Sequence, residues 1–163
     1  METSKIVLYG HKALRTRAEE IEEFNEEVGD LIERMYRIMA EDRGLGLAGP
    51  QIGVSKRIFV YDVGEGPHAM INPVIELTGG ETVGIEGCLS IPGLEGEVSR
   101  AERVTVSGIN EEGKKVKIKA QDLLAKVFQH EIDHLDGTMF VDRADPATLE
   151  TVPVDAEEQG EKL

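Results

Sequence analysis

The chain has 163 residues, a length that suits one domain around a single core and argues against two. Its 32 Asp and Glu outweigh 18 Lys and Arg, and a formal net charge of -14 repels phosphate backbones and anionic lipid, which argues against nucleic-acid or membrane binding. A lone cysteine, Cys88, excludes an internal disulfide framework, and with neither a leader-like start nor an apolar run of membrane-spanning length the expected residence is the cytoplasm.

Along the chain, Lys5 to Tyr9 reads as a short strand. Phe24, Val28, Leu31, Ile32, Met35 and Met39 then recur at helical spacing, which predicts a helix from Asn25 to Asp42 ended by Gly44. The acidic stretch Glu19 to Asp30 reads as a solvated face. Gly44-Leu45-Gly46-Leu47-Ala48-Gly49-Pro50-Gln51 carries little side-chain bulk, so another backbone can approach it closely. A phosphate cradle is disfavoured there, because no Lys-Ser or Lys-Thr follows. Arg57 to Tyr61 and Ala69 to Leu77 are predicted strands, with Pro67 and Pro73 limiting where a central ladder can run.

Val104 and Val106 face Val116 and Ile118 across Asn110-Glu111-Glu112-Gly113, the pattern of a β-hairpin. Leu123, Leu124, Val127, Phe128, Ile132 and Leu135 cover nearly the whole circumference of a helix expected from Asp122 to Asp136, which marks it as buried. Gly137 stands where a left-handed cap is expected. The expected fold is α+β: antiparallel or mixed sheets packed around this central helix, with a long N-terminal helix. Residues 1–145 are expected to form the folded domain, and 146–163 a flexible acidic tail.

Chemistry is concentrated in His130-Glu131-Ile132-Asp133-His134. Residues four apart lie on one helical face, so both imidazoles can reach one ion, and on an apolar face they are costly to bury without a shared partner. Glu131, beside the first of them, is placed to act as a general base. A catalytic site of this type needs a third protein ligand and an open position. In one large peptidase class that ligand is a further histidine, but the position holds Phe140; in another it is a downstream glutamate, for which Glu150 is the clear candidate. Cys88, in Glu86-Gly87-Cys88-Leu89-Ser90, is the other source, and it completes a Cys-His-His set.

The segments GLGLAGPQ, EGCLS and HEIDH, in this order, resemble the signature of the peptide deformylase family, and the likeness runs from about Leu8 to Asp142 through Ile91-Pro92-Gly93 and Gln129. The resemblance implies a hydrolase that removes the formyl group from the initiator methionine of nascent polypeptides. Cys88, His130 and His134 would hold one divalent metal ion, usually Fe2+ in the family, with Zn2+, Ni2+ or Co2+ as substitutes. Gln51 and the backbone N–H of Leu89 would face the developing oxyanion, and Glu131 would move the proton. Gly44, Leu45 and Gly46 would pair with the extended N-formylmethionyl peptide.

Glu86 and Arg100 are expected to form a buried pair that holds the cysteine loop. Gly49 stands where the family commonly has alanine, a change expected to loosen the loop. Some members carry a basic C-terminal helix that docks on the ribosome; the acidic tail here argues against that route and leaves transient ribosome proximity. A general metallopeptidase is the nearest alternative activity. A noncatalytic metal protein, closed by His11 or His68, is the other.

Overall fold

A computed structural model describes residues 6–153 and Leu163, and these hold eight strands and three α-helices. The first α-helix, α1 (Glu26–Glu41), is capped by Asn25, whose side chain accepts from the Val28 amide at 3.2 Å. Glu26 and Glu27 in its first turn face the positive end of the helix dipole. Val28, Ile32, Met35, Ile38 and Met39 form its buried stripe. The left-handed residue after α1 is Arg43 (φ 56), one position before the glycine expected to end it.

Strands β1 (Gly46–Ala48), β2 (Ile58–Tyr61), β3 (His68–Gly79), β6 (Arg103–Asn110) and β7 (Lys115–Gln121) make an antiparallel sheet in the order β1-β2-β3-β6-β7. Every residue of β2 is buried, and its alternation sorts the two cores. Ile58 and Val60 join Leu47, Ala69 and Ile71 in the cluster with α1. Phe59 and Tyr61 join Met70, Val104 and Val106 in the cluster with the second helix, α2 (Asp122–Leu135). Within the β6–β7 hairpin Val106 opposes Ile118, whereas Val104 opposes Ala120 and Val116 opposes Gly108.

Pro73 is accommodated by a register shift between Ile71 and Val74. Asn72 takes a left-handed φ of 51 there, and its side chain exchanges two hydrogen bonds with the Ile21 backbone, at 2.9 and 2.8 Å. The expected N-terminal strand is not a ladder strand among the described residues. Its backbone instead ties two later loops together: Val7 N–H donates to Gln51 O at 2.7 Å and Tyr9 N–H to Ser90 O at 2.8 Å. Lys5 lies outside the described residues.

A second sheet, β4 (Thr82–Cys88), β5 (Ile91–Arg100) and β8 (Glu150–Thr151), runs in the order β4-β5-β8. Sequence patterning did not disclose β4 and β5, because glycines and glutamates interrupt their apolar alternation. A 3-10 turn at Pro146–Thr148 precedes β8, which pairs with Leu94 and Glu95, so this part of the expected tail lies along β5. Residues 154–162 lie outside the described residues. Among the described residues no helix is long and apolar enough to cross a membrane.

The position of α2 is fixed at its middle and at its C-terminal end. Gln129 exchanges bonds of 2.9 Å with both backbone groups of Ala101, and Gly137 (φ 80) turns the chain after the last helical residues. The buried guanidinium of Arg57 donates to the Leu135 carbonyl at 2.9 Å and to Asp136 at 2.8 Å, satisfying the negative end of the helix. Arg57→Met keeps most of the packing but removes both charge-assisted bonds, leaving the Leu135 carbonyl with the Ala18 N–H alone (2.9 Å) and Asp136 without its cation. It is expected to lower unfolding free energy by about 2–3 kcal/mol, read from urea denaturation.

Candidate active site

Two elements meet at the site: the end of β4, where a register shift between Gly87 and Cys88 turns the thiol inward, and the C-terminal half of α2, whose last turn carries His134. Cys88, His130 and His134 each offer one donor atom, and these lie within 4.8 Å of one another, all buried. Cys88 Sγ is 3.3 Å from His134 Nε2. His130 Nδ1 faces Glu86 Oε1 at 3.0 Å, while its Nε2 is buried without a hydrogen-bond partner among the described residues. His134 Nδ1 is likewise unpartnered, as are both carboxylate oxygens of Glu131.

Buried polar atoms without partners are costly, so the cluster asks for something the chain does not supply. The donor set states what fits. Burial pushes the Cys88 thiol up to about 12 and holds the His134 imidazole well below its usual range, so neither carries charge unaided. A divalent cation reverses both costs by stabilising the thiolate and accepting neutral imidazole nitrogens. One sulfur and two nitrogens leave a position open for a non-protein ligand.

The alternative ligands stand elsewhere. His11 accepts from the Ala13 amide as a helix cap, and His68 pairs with Glu111 at 3.0 Å. Phe140 is buried and stacks near His130 with ring centroids 6.5 Å apart. Glu150 is exposed in β8. Among the described residues the cluster therefore contains three candidate donors and no fourth closing side chain.

Around the cluster, the glycine-rich run supplies proximity. A Cβ on Gly46 would stand 2.7 Å from Glu131 Oε2, so only glycine lets β1 run beside that carboxylate. A Cβ on Gly44 would meet the Leu89 side chain at 2.8 Å, and Leu45 lines the cleft. Because β1 ends the sheet, its outer edge has no ladder partner among the described residues. Gly49 corrects an expectation: a methyl there would meet the carbonyls of Val54 and Lys56 at 2.8 and 2.9 Å, so the loop is closed tightly on glycine, not loosened by it.

Gln51 is fully buried between β1 and the Cys88 segment. Its Oε1 accepts from Ala48 N–H at 2.9 Å, which aims Nε2 at Ser90 Oγ (3.2 Å) and Cys88 Sγ (3.6 Å). Leu89 N–H points to the same cleft, where it donates to the Leu163 carbonyl at 3.1 Å.

Glu86 and Arg100 meet in a two-bond pair, both contacts 2.8 Å, with side chains almost wholly buried. Burial alone would raise the Glu86 carboxyl, but the bonds from Arg100 and then His130 bring it down to about 2. Arg100 also donates to Asp133 at 2.7 Å, and Arg143 closes on Asp133 with bonds of 2.6 and 2.9 Å. A chain of charge-assisted bonds thus joins β5, α2, the short helix α3 (Phe140–Arg143) and the His130 imidazole. Asp133 and Arg143 were not read from the sequence; a carboxylate inside a buried helix needs a cation, and that was the available signal.

Comparison with known proteins places this arrangement. The polypeptide deformylase family profile matches residues 3–150. The chain belongs to that family. It is 49% identical over 144 residues to the peptide deformylase of Pelotomaculum thermopropionicum, covering 88% of this chain and 93% of the relative. The peptide deformylase of Carboxydothermus hydrogenoformans is 50% identical over 145 residues, 89% of this chain and 95% of that one. Among solved structures, the Thermotoga maritima peptide deformylase superposes with a TM-score of 0.86 at 41% identity, covering 90% of this chain and 100% of that chain. The Synechococcus elongatus enzyme, solved in complex with actinonin, gives 0.84 at 40% identity, over 86% of this chain and 78% of its own. The chain is accordingly an enzyme of the deformylase family, whose reaction removes the N-formyl group from nascent peptides. Its α+β architecture is the one those structures share.

Removing one partner of the central pair strands the other charge. Arg100→Ala is expected to cost roughly 3–5 kcal/mol of stability and to lower metal content after dialysis, measured by denaturation and elemental analysis of the same sample. The pH sign follows from Glu86. Its contribution is full above the ordinary carboxyl value of 4.5 and fades as pH falls from there through about 2 in the folded state. The stability difference between the chain and Arg100→Ala should therefore shrink over that acidic window.

Proposed function

We propose that Cys88, His130 and His134 hold one divalent ion, ferrous iron in the cell, and that Glu131, Gln51 and Leu89 perform the deformylation around it. An ion held by this set supplies Lewis acidity, polarising a carbonyl and acidifying water, and a thiolate ligand makes it softer than an all-nitrogen set would. The observation that carries the reading is Glu131: a fully buried carboxylate with both oxygens unpartnered, next in sequence to a candidate ligand. Zinc, nickel or cobalt fit the same donors.

The substrate is the formylmethionyl end of a nascent polypeptide, pairing in extended form with Gly44, Leu45 and Gly46 at the free edge of β1. Glu131 takes a proton from water as the water oxygen bonds to the formyl carbon. Burial first, and the nearby Glu86 carboxylate second, hold the Glu131 carboxyl well above its usual range, which suits a group that must keep that proton. The Gln51 amide and the Leu89 N–H face the oxygen as negative charge collects on it. The C–N bond then breaks, Glu131 returns the proton to the departing amine, and formate leaves. The site works in the cytoplasm, in passing proximity to the ribosome, with no nucleic acid or membrane contact of its own.

The test uses protein purified without oxygen, assayed for metal and for formate release from formyl-Met-Ala-Ser. Chelation should abolish activity and ferrous iron restore it. Glu131→Gln should retain the metal while hydrolysis falls by about 10²–10⁴-fold. Cleavage of unformylated peptides at internal bonds would instead identify a general peptidase, and undiminished function in Glu131→Gln would remove the proton-transfer role.

A further inference from the structure

Leu163 lies far from the motifs in sequence, yet its side chain is only 4% exposed and belongs to the core cluster that contains Phe128 and Ile132 of the ligand helix. It lines the cleft of ≈ 650 Å3 whose walls also include Cys88, Leu89 and Leu45. Its backbone carbonyl accepts the Leu89 N–H at 3.1 Å. That donor is the one assigned above to the substrate oxygen, and a single N–H cannot serve a substrate and Leu163 at full strength together. A second observation places the approach to the seat. Glu150 and Thr151 pair with β5, and Val152 N–H donates to Gly93 O at 3.0 Å, so the chain already runs along one wall of the cleft before residues 154–162 intervene.

We infer that the substrate cleft is a binding site for the chain's own Leu163, an internal ligand that presents an apolar side chain to the pocket and a carbonyl to Leu89 N–H. The ligand class is an apolar peptide residue, chemically akin to a methionyl residue with its acyl oxygen. Seat and substrate exclude each other, so the internal ligand acts as a competitor whose local concentration is set by the tether and not by dilution. The apparent dissociation constant for substrate is the intrinsic one divided by the fraction of clefts that are free, while the rate from the filled complex is unchanged. The competitive consequence rests on the deformylase reading of Leu89; the seat itself does not.

The experiment compares the full chain with Leu163→Asp, which places a charge where the pocket offers apolar contact, and with Leu163→Met, which keeps size and polarity. Formate release from formyl-Met-Ala-Ser and hydrogen exchange at the Leu89 amide are read on each, the latter by NMR on zinc-loaded protein. For Leu163→Asp, KM should fall roughly three- to tenfold with kcat unchanged, matching clefts that are about one-third to one-tenth free in the intact chain. Leu89 exchange should quicken by a similar factor, and Leu163→Met should behave as the intact chain does. Equal KM and equal Leu89 exchange in the intact chain and Leu163→Asp would overturn the inference, as would a KM effect that vanishes on diluting the enzyme, which would make the occupant a second copy. If no variant releases formate, the deformylase reading has failed, and the exchange comparison still decides the seat.

Discussion

Three donor atoms buried within 4.8 Å of one another are the constraint around which the rest of the molecule is arranged. They come from two elements with no covalent tie near the site: the inward turn at the end of β4 and the C-terminal half of α2. Without a cation the arrangement is unfavourable, since a thiol and two imidazoles are desolvated and two ring nitrogens go unpaired. The surrounding fold must therefore hold both elements in place before an ion arrives. Arg100 does this directly, bonding Glu86 on the cysteine strand and Asp133 on the histidine helix at the same time. The His130 ring is then oriented by Glu86, which leaves Nε2 directed into the cluster.

The same arrangement explains where small residues stand. Gly46 brings an edge strand against Glu131, a closeness that any side chain at that position would prevent. A peptide added to that edge therefore runs beside the carboxylate that would handle the proton. Gly49, by contrast, is small for a structural reason, because two carbonyls of the following loop fill the space a methyl would take. Glycines three residues apart thus serve different ends: one lets an edge strand lie against a buried carboxylate, the other seals a loop.

How much of this was legible in the sequence depended on how local the physics is. The spacing of His130 and His134 is a helical fact, and the apolar residues around it declared burial, so the centre of the site could be read directly. The helix α1 and the β6–β7 hairpin were legible for the same reason, from period and turn chemistry. The β4–β5 hairpin was not, since Gly84, Gly87, Gly93 and Gly96 replace the side chains whose alternation would have marked it. Cys88 was reached only through the need for a third ligand and the family resemblance. Asp133 and Arg143 escaped notice because their partnership is made by tertiary folding. Leu163 escaped because an acidic, proline-punctuated segment gave no reason to expect a buried residue at its far side.

The convergence of one sulfur and two imidazole nitrogens on a single ion is most directly measured by X-ray absorption on the cobalt-loaded chain. The fine structure should resolve one sulfur at about 2.3 Å and two imidazole nitrogens at about 2.0–2.1 Å, distances typical of such ligands on a divalent ion, together with a light non-protein atom. Loss of the sulfur shell in Cys88→Ser should accompany this. A spectrum with no sulfur scatterer, or one in which protein donors complete the shell and leave no exchangeable position, would contradict the structure's reading as a catalytic centre.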